Sequence, residues 1–135
     1  MMAKDEILNA LRAQLGKQSE ILFAYVFGSF LESDRYNDVD VAIFLEDGNL
    51  MRNDRWYDIR LASELEKAAG VAVDLVILNT APDHLIHRIS SGKVIVDKDP
   101  EGRVEFIVNA WKRYFDFRPK REAYLAELLE MYQRA

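Results

Sequence analysis

Asp38 and Asp40 stand two residues apart at the head of the apolar run VAIFL, and Gly28-Ser29 closes an earlier apolar run, Ile21 to Phe27. Side chains alternate along a strand, so carboxylates at i and i+2 point to the same face. Adjacent like charges repel, and a hard divalent cation that takes oxygen ligands is the usual compensation. A Gly-Ser pair after a buried strand offers uncovered backbone N–H groups and a hydroxyl, both suited to phosphate. Metal and phosphate chemistry within one strand–loop–strand unit is a signal of nucleotide chemistry. A third carboxylate, Asp74, interrupts VAVDLVIL, which reads as a buried strand. A buried, unpaired carboxylate costs several kcal/mol or keeps its proton. If that strand neighbours the one opened by Asp38, three carboxylates converge and can hold two metal ions. Taken singly, each feature has an ordinary reading, since aspartates are common at strand starts and Gly-Ser marks many turns. Their order along the chain makes the set specific.

The elements that must position these groups follow from hydrophobic periodicity. Ile7, Leu8, Leu11 and Leu15 form a helical stripe over Asp5 to Leu15, with Gly16 as its stop. Strands are predicted over Ile21 to Phe27, Asp38 to Glu46, Val71 to Leu78 and Lys93 to Val96. Asn53 or Asp54 is expected to cap a helix that runs to Ala69, with Trp56, Ile59, Leu61, Leu65 and Ala68 as its apolar surface. A short helix is predicted over Asp83 to Ser90. A helical tail follows from Val104 to Gln133, bent near Pro119, where a backbone donor is missing. The expected fold is α/β (α+β): a small mixed sheet with helices packed on it.

A chain of 135 residues, half of them hydrophobic and 30% charged, suits one soluble domain over residues 1–135, its helical tail starting near residue 103. With no cysteine, disulfides and thiolate metal sites are excluded. No apolar run approaches the ~20 residues of a membrane span. The first residues read as an amphipathic helix rather than a signal peptide, so a cytoplasmic location is expected. The net charge of −5 argues against broad nucleic-acid binding. A small anionic nucleotide is still compatible, because bound metal ions supply positive charge locally.

Gly28-Ser29, a spacer, Asp38-Val39-Asp40 and the later Asp74 together resemble the signature of the DNA polymerase beta-like nucleotidyltransferases. The chain is most similar to the minimal nucleotidyltransferases, the MntA-type antitoxins paired with HEPN-domain toxins such as HepT. The likeness extends over nearly the whole chain, including the helical tail. The spacer Phe30 to Asn37 is eight residues, shorter than the family's usual length, and Leu31-Glu32 stands where relatives often carry Arg-Gly. The resemblance implies a polymerase-beta-like fold, ATP as substrate and two magnesium ions held by Asp38, Asp40 and Asp74. In it, Gly28 and Ser29 hold the outer phosphates of ATP, and Asp74 orients or deprotonates the acceptor. The implied reaction is AMP transfer to a hydroxyl, with pyrophosphate leaving. The chain has no room for a separate acceptor-binding domain, which makes a protein acceptor the leading expectation: a tyrosine of a HEPN toxin, silenced by adenylylation.

Two other functions compete. One is an antitoxin that blocks its toxin by contact alone, favoured by the short spacer and disfavoured by the complete carboxylate set. The other is adenylylation of a small molecule such as an antibiotic. Arg35, Arg52, Arg60 and Lys93 are candidate phosphate contacts that sequence cannot rank. His84 and His87, three apart on a short helix, lack a third ligand and read as structural. In the tail, Phe106, Ile107, Ala110, Trp111, Tyr114 and Phe115 can cover the sheet. Tyr124, Leu125, Leu128, Leu129 and Tyr132 make a second stripe, which packs either on the chain's own core or on a partner: the toxin or a second copy.

Overall fold

The computed structural model describes residues 2–134. Four strands form one sheet in the order β3-β2-β1-β4. They are β1 (Ile21–Phe27), β2 (Asp38–Leu45), β3 (Ala72–Ile77) and β4 (Lys93–Asp97). β1 runs antiparallel to β2 and β4, whereas β2 and β3 are parallel, so the sheet is mixed as expected. The parallel pair needs a crossover, supplied by the short α3 (Leu50–Asn53) and by α4 (Tyr57–Ala69). The remaining helices are α1 (Lys4–Gly16), the single turn α2 (Ser29–Glu32), α5 (Asp83–Ile89) and the long α6 (Pro100–Arg134).

Each face of the sheet has its own core. On one, Ala24 and Val26 of β1 and Val39, Val41 and Ile43 of β2 pack with Ile7, Leu11 and Leu15 of α1 and Leu61, Leu65 and Ala69 of α4. On the other, Phe23, Tyr25 and Phe27 of β1 and Ala42 of β2 meet Ile86 and Ile89 of α5 and Ala110 of α6. Phe106 of α6 completes this second core against Phe44, ring centroids 4.8 Å apart. Each fully buried large apolar side chain contributes about 1.5–3 kcal/mol, and both clusters surround β1 and β2. The central strands are therefore rigid enough to carry groups that repel one another.

Several expectations are corrected. β3 is an edge strand, and Asp74 on it is exposed rather than buried. An apolar sequence run marks a strand but not its place in the sheet, and among the described residues no second strand covers the far side of β3. Neither Asn53 nor Asp54 caps the crossover helix. α4 starts at Tyr57 with no side-chain cap, and the Asp54 carboxylate is held instead by Arg60. Trp56 and Ile59, expected as part of that helix's apolar surface, are 57% and 59% exposed. α6 runs through Pro119 as one helix.

Candidate active site

Strand alternation sorts the side chains of β2 between the two faces. Val39, Val41 and Ile43 belong to the α1–α4 core. Asp38 and Asp40 therefore share a face with Ala42 and Phe44, the face that α5 and α6 cover. The cover is incomplete along the strand: Phe106 packs on Phe44, while Asp38 and Asp40 stay half-buried. In the parallel register Asp40 stands opposite Asp74, and Asp38 opposite Ala72. One carboxylate oxygen from each of Asp38, Asp40 and Asp74 lies within 4.8 Å of the others.

The cluster carries uncompensated charge. Among the described residues none of the three forms an ion pair. Burial, followed by the charges of Asp38 and Asp74, holds the Asp40 carboxyl above the ordinary carboxylate range, and Arg88 pulls in the opposite direction. Two unit charges 5 Å apart repel by about 3 kcal/mol at an effective dielectric of about 20, and less where water reaches them, as it does at Asp74. This donor set fits magnesium or manganese: hard oxygen ligands, closely spaced and, among the described residues, ion-paired to no protein cation.

Gly28 links this cluster to the preceding strand. Phe27 pairs with Asp40 across the β1–β2 ladder, and the chain then turns at Gly28 with φ 82° and ψ −158°, a conformation open essentially to glycine alone. A Cβ there would lie 2.2 Å from Asp40 Oδ2. The bare Cα thus both makes the turn and leaves room for the carboxylate. Beside it opens a cavity of about 690 Å³ whose walls include Gly28, Ser29, Glu32, Asp40, Arg88 and Gly92. Gly28, Ser29 and the three aspartates are thus brought together at one end of the sheet.

Arg35, Arg52, Arg60 and Lys93 do not line this cavity. Arg88 does, and sequence reasoning passed over it. Its signal is topological: Lys93 pairs with Val26, so the turn before β4 is delivered beside the Gly28 end of β1. The histidines stay out of the acidic cluster. His87 stacks on Tyr114 at 4.7 Å and meets Trp111 at 4.9 Å, while Trp111 Nε1–H donates to Ser90 Oγ at 2.9 Å.

A mixed four-stranded sheet with carboxylates gathered beside a Gly-Ser turn is the architecture of the polymerase beta-type nucleotidyltransferases. The chain belongs to that family: the sequence model of the Polymerase beta nucleotidyltransferase domain matches residues 9–101. Its fold is also that of solved antitoxins. A toxin–antitoxin structure with AMP-PNP is 24% identical, with a TM-score of 0.70, covering 95% of this chain and 99% of that one. The MNT antitoxin in complex with a tri-AMPylated HEPN toxin from Shewanella oneidensis is 24% identical, with a TM-score of 0.67, covering 93% of this chain and 95% of that one. The MntA-HepT toxin–antitoxin structure is 23% identical, with a TM-score of 0.66, covering 93% and 96%. No curated protein matches the chain by sequence.

Proposed function

We propose that this protein is an antitoxin nucleotidyltransferase that transfers AMP from ATP to a hydroxyl of a HEPN-type toxin, a tyrosine being the expected acceptor. One observation carries the reading: Asp38, Asp40 and Asp74 converge beside the Gly28-Ser29 cavity in a chain of this family. The structurally similar toxin–antitoxin structures, one with a tri-AMPylated HEPN toxin and one with AMP-PNP, support the choice of acceptor and nucleotide.

In the reaction the acceptor oxygen forms a bond to the α phosphorus as the bond from that phosphorus to the β-phosphate oxygen breaks. Pyrophosphate departs with the electron pair, and the hydroxyl proton is lost. Gly28 N–H and the Ser29 hydroxyl hold the outer phosphates. Asp38 and Asp40 would hold two magnesium ions, and Asp74 one of them. Bound there, the ions supply charge neutralisation of the phosphates and a lower acceptor pKa. Asp74, exposed on its edge strand, is the carboxylate an incoming protein can reach, and its role is to orient or deprotonate the acceptor hydroxyl. Most of the rate enhancement is then positioning and electrostatics.

The tail supplies the docking surface for that partner. Tyr124, Leu125, Leu128, Leu129 and Tyr132 are 60%, 48%, 42%, 62% and 83% exposed, an apolar stripe that the chain's own core does not cover. A single experiment tests the reading. The protein is incubated with ATP, magnesium and a HEPN-type toxin, and the toxin is weighed by mass spectrometry. The expected result is one or more adenylyl additions on a toxin tyrosine. A toxin left unmodified yet inhibited supports neutralisation by contact alone, a reading that Glu32 in the phosphate cavity favours. A toxin neither modified nor inhibited overturns both.

A further inference from the structure

The cavity beside Gly28 brings two carboxylates, Glu32 and Asp40, to a space meant for a polyanion, and among the described residues Arg88 is the one cation on its wall. Among the described residues Arg88 forms no ion pair, and its side chain is exposed. Its guanidinium carbon sits 5.8 Å from the centroid of the Phe27 ring. Phe27, the cavity's aromatic residue, is buried in the second core and offers no open ring face to a nucleobase. What stays open on this side is a guanidinium fork, the Gly-Ser turn and the Ser91-Gly92 turn. That is phosphate chemistry rather than base chemistry.

The position of Arg88 is fixed by close packing. A Cβ on Gly92 would lie 2.3 Å from the Val26 carbonyl oxygen and 3.0 Å from Phe27 Cβ. Glycine there lets the α5–β4 turn press onto the end of β1. Ile89, fully buried next to Arg88, anchors the same turn in the second core.

We infer that Arg88 binds the outer phosphates of the nucleoside triphosphate and takes up the charge of the departing pyrophosphate. This rests on the nucleotidyltransferase reading above and adds a phosphate ligand delivered by α5. A bidentate guanidinium–phosphate contact is about twice as strong as a neutral hydrogen bond, and its loss corresponds to roughly a tenfold or greater drop in affinity.

Calorimetry with ATP, AMP and pyrophosphate, each with magnesium, tests the inference on the wild-type protein, Arg88→Ala and Arg88→Lys. Arg88→Ala is expected to weaken ATP and pyrophosphate about tenfold or more, leave AMP unchanged and keep the wild-type melting temperature. Arg88→Lys recovers part of the loss, because it restores the charge without the fork. Unchanged ATP and pyrophosphate binding in Arg88→Ala overturns the inference, as does an equal loss for AMP. If the wild-type protein binds neither ATP nor pyrophosphate, the nucleotidyltransferase reading falls, and this inference with it.

Discussion

Asp40 and Asp74 are direct partners in the parallel ladder between β2 and β3, although a crossover helix separates them in the chain. Their alignment sets the site: a slip of β3 by one residue would turn Asp74 to the opposite face. Val73 and Leu75 prevent that slip by packing into the α1–α4 core on either side of it. Asp74→Asn should therefore leave the fold intact, because the side chain is exposed, and cut AMP transfer by about a hundredfold or more. Time courses of toxin adenylylation by mass spectrometry, with circular dichroism as the folding control, give the answer. Wild-type rates in this variant would remove Asp74 from the mechanism.

The charge state of Asp40 links the site to stability. Its carboxyl is held above the ordinary range by burial first, then by Asp38 and Asp74. Between the ordinary pKa and the raised one, the native state binds more protons than the unfolded chain. Stability from this group is therefore full below the ordinary value, falls as pH rises through that window and is absent above it. Asp40→Asn should raise the melting temperature of the metal-free protein by a few degrees at neutral pH, and by nothing below about pH 3. Magnesium with a nucleotide should stabilise the wild-type protein more than the variant. Scanning calorimetry across pH checks both; a variant less stable than wild type at neutral pH would contradict the repulsion argument.

Much of this site is legible in the amino-acid sequence. β1 spans Ile21–Phe27, the predicted range, because an unbroken apolar run meets a glycine that must turn. Alternation alone places Asp38 and Asp40 on one face. The exposure of Asp74 is not legible, since whether an apolar run is central or at an edge depends on strand order, which no local pattern encodes. Arg88 is hidden for a related reason. Its neighbour across space, Gly28, is far away in sequence, and only the antiparallel pairing of β4 with β1 brings the two together. The missing cap at α4 is a local miss: the Asp54 carboxylate goes to the Arg60 side chain, and it is the Asp54 carbonyl oxygen that accepts the Tyr57 N–H.

Gly28 and Gly70 both have positive φ, 82° and 69°, but differ in what surrounds them. At Gly28 a methyl group would collide with Asp40; at Gly70 the nearest atom, Met2 Sδ, is 3.6 Å away. Gly70→Ala should cost about 1–2 kcal/mol, from the left-handed backbone alone, and keep AMP transfer. Gly28→Ala should cost at least as much and also abolish transfer, because it displaces the Asp40 carboxylate. Denaturant melts and transfer assays on the two variants separate backbone strain from site damage. Retained activity in Gly28→Ala would show that Asp40 can move without harm.

The exposed stripe on α6 makes the remaining prediction. Ala110, Phe106 and Ile107 at the start of the helix join the second core, whereas Trp111 and Phe115 gather around His87 and stay 40% and 46% exposed. Beyond Pro119 the helix carries its apolar residues into solvent. Replacing Leu125 and Leu129 together with Asp removes no core contact, so the double variant should keep the wild-type melting temperature to within a degree or two. It should no longer co-elute with the HEPN partner in size-exclusion chromatography, and adenylylation of that partner should fall with it, while ATP binding is unchanged. If the stripe instead seats a second copy, the isolated wild-type chain will elute as a dimer and the variant as a monomer. Unaltered co-elution of a folded variant with the HEPN protein would move the docking surface elsewhere, to the open acidic end of the sheet where Asp74 already faces the solvent.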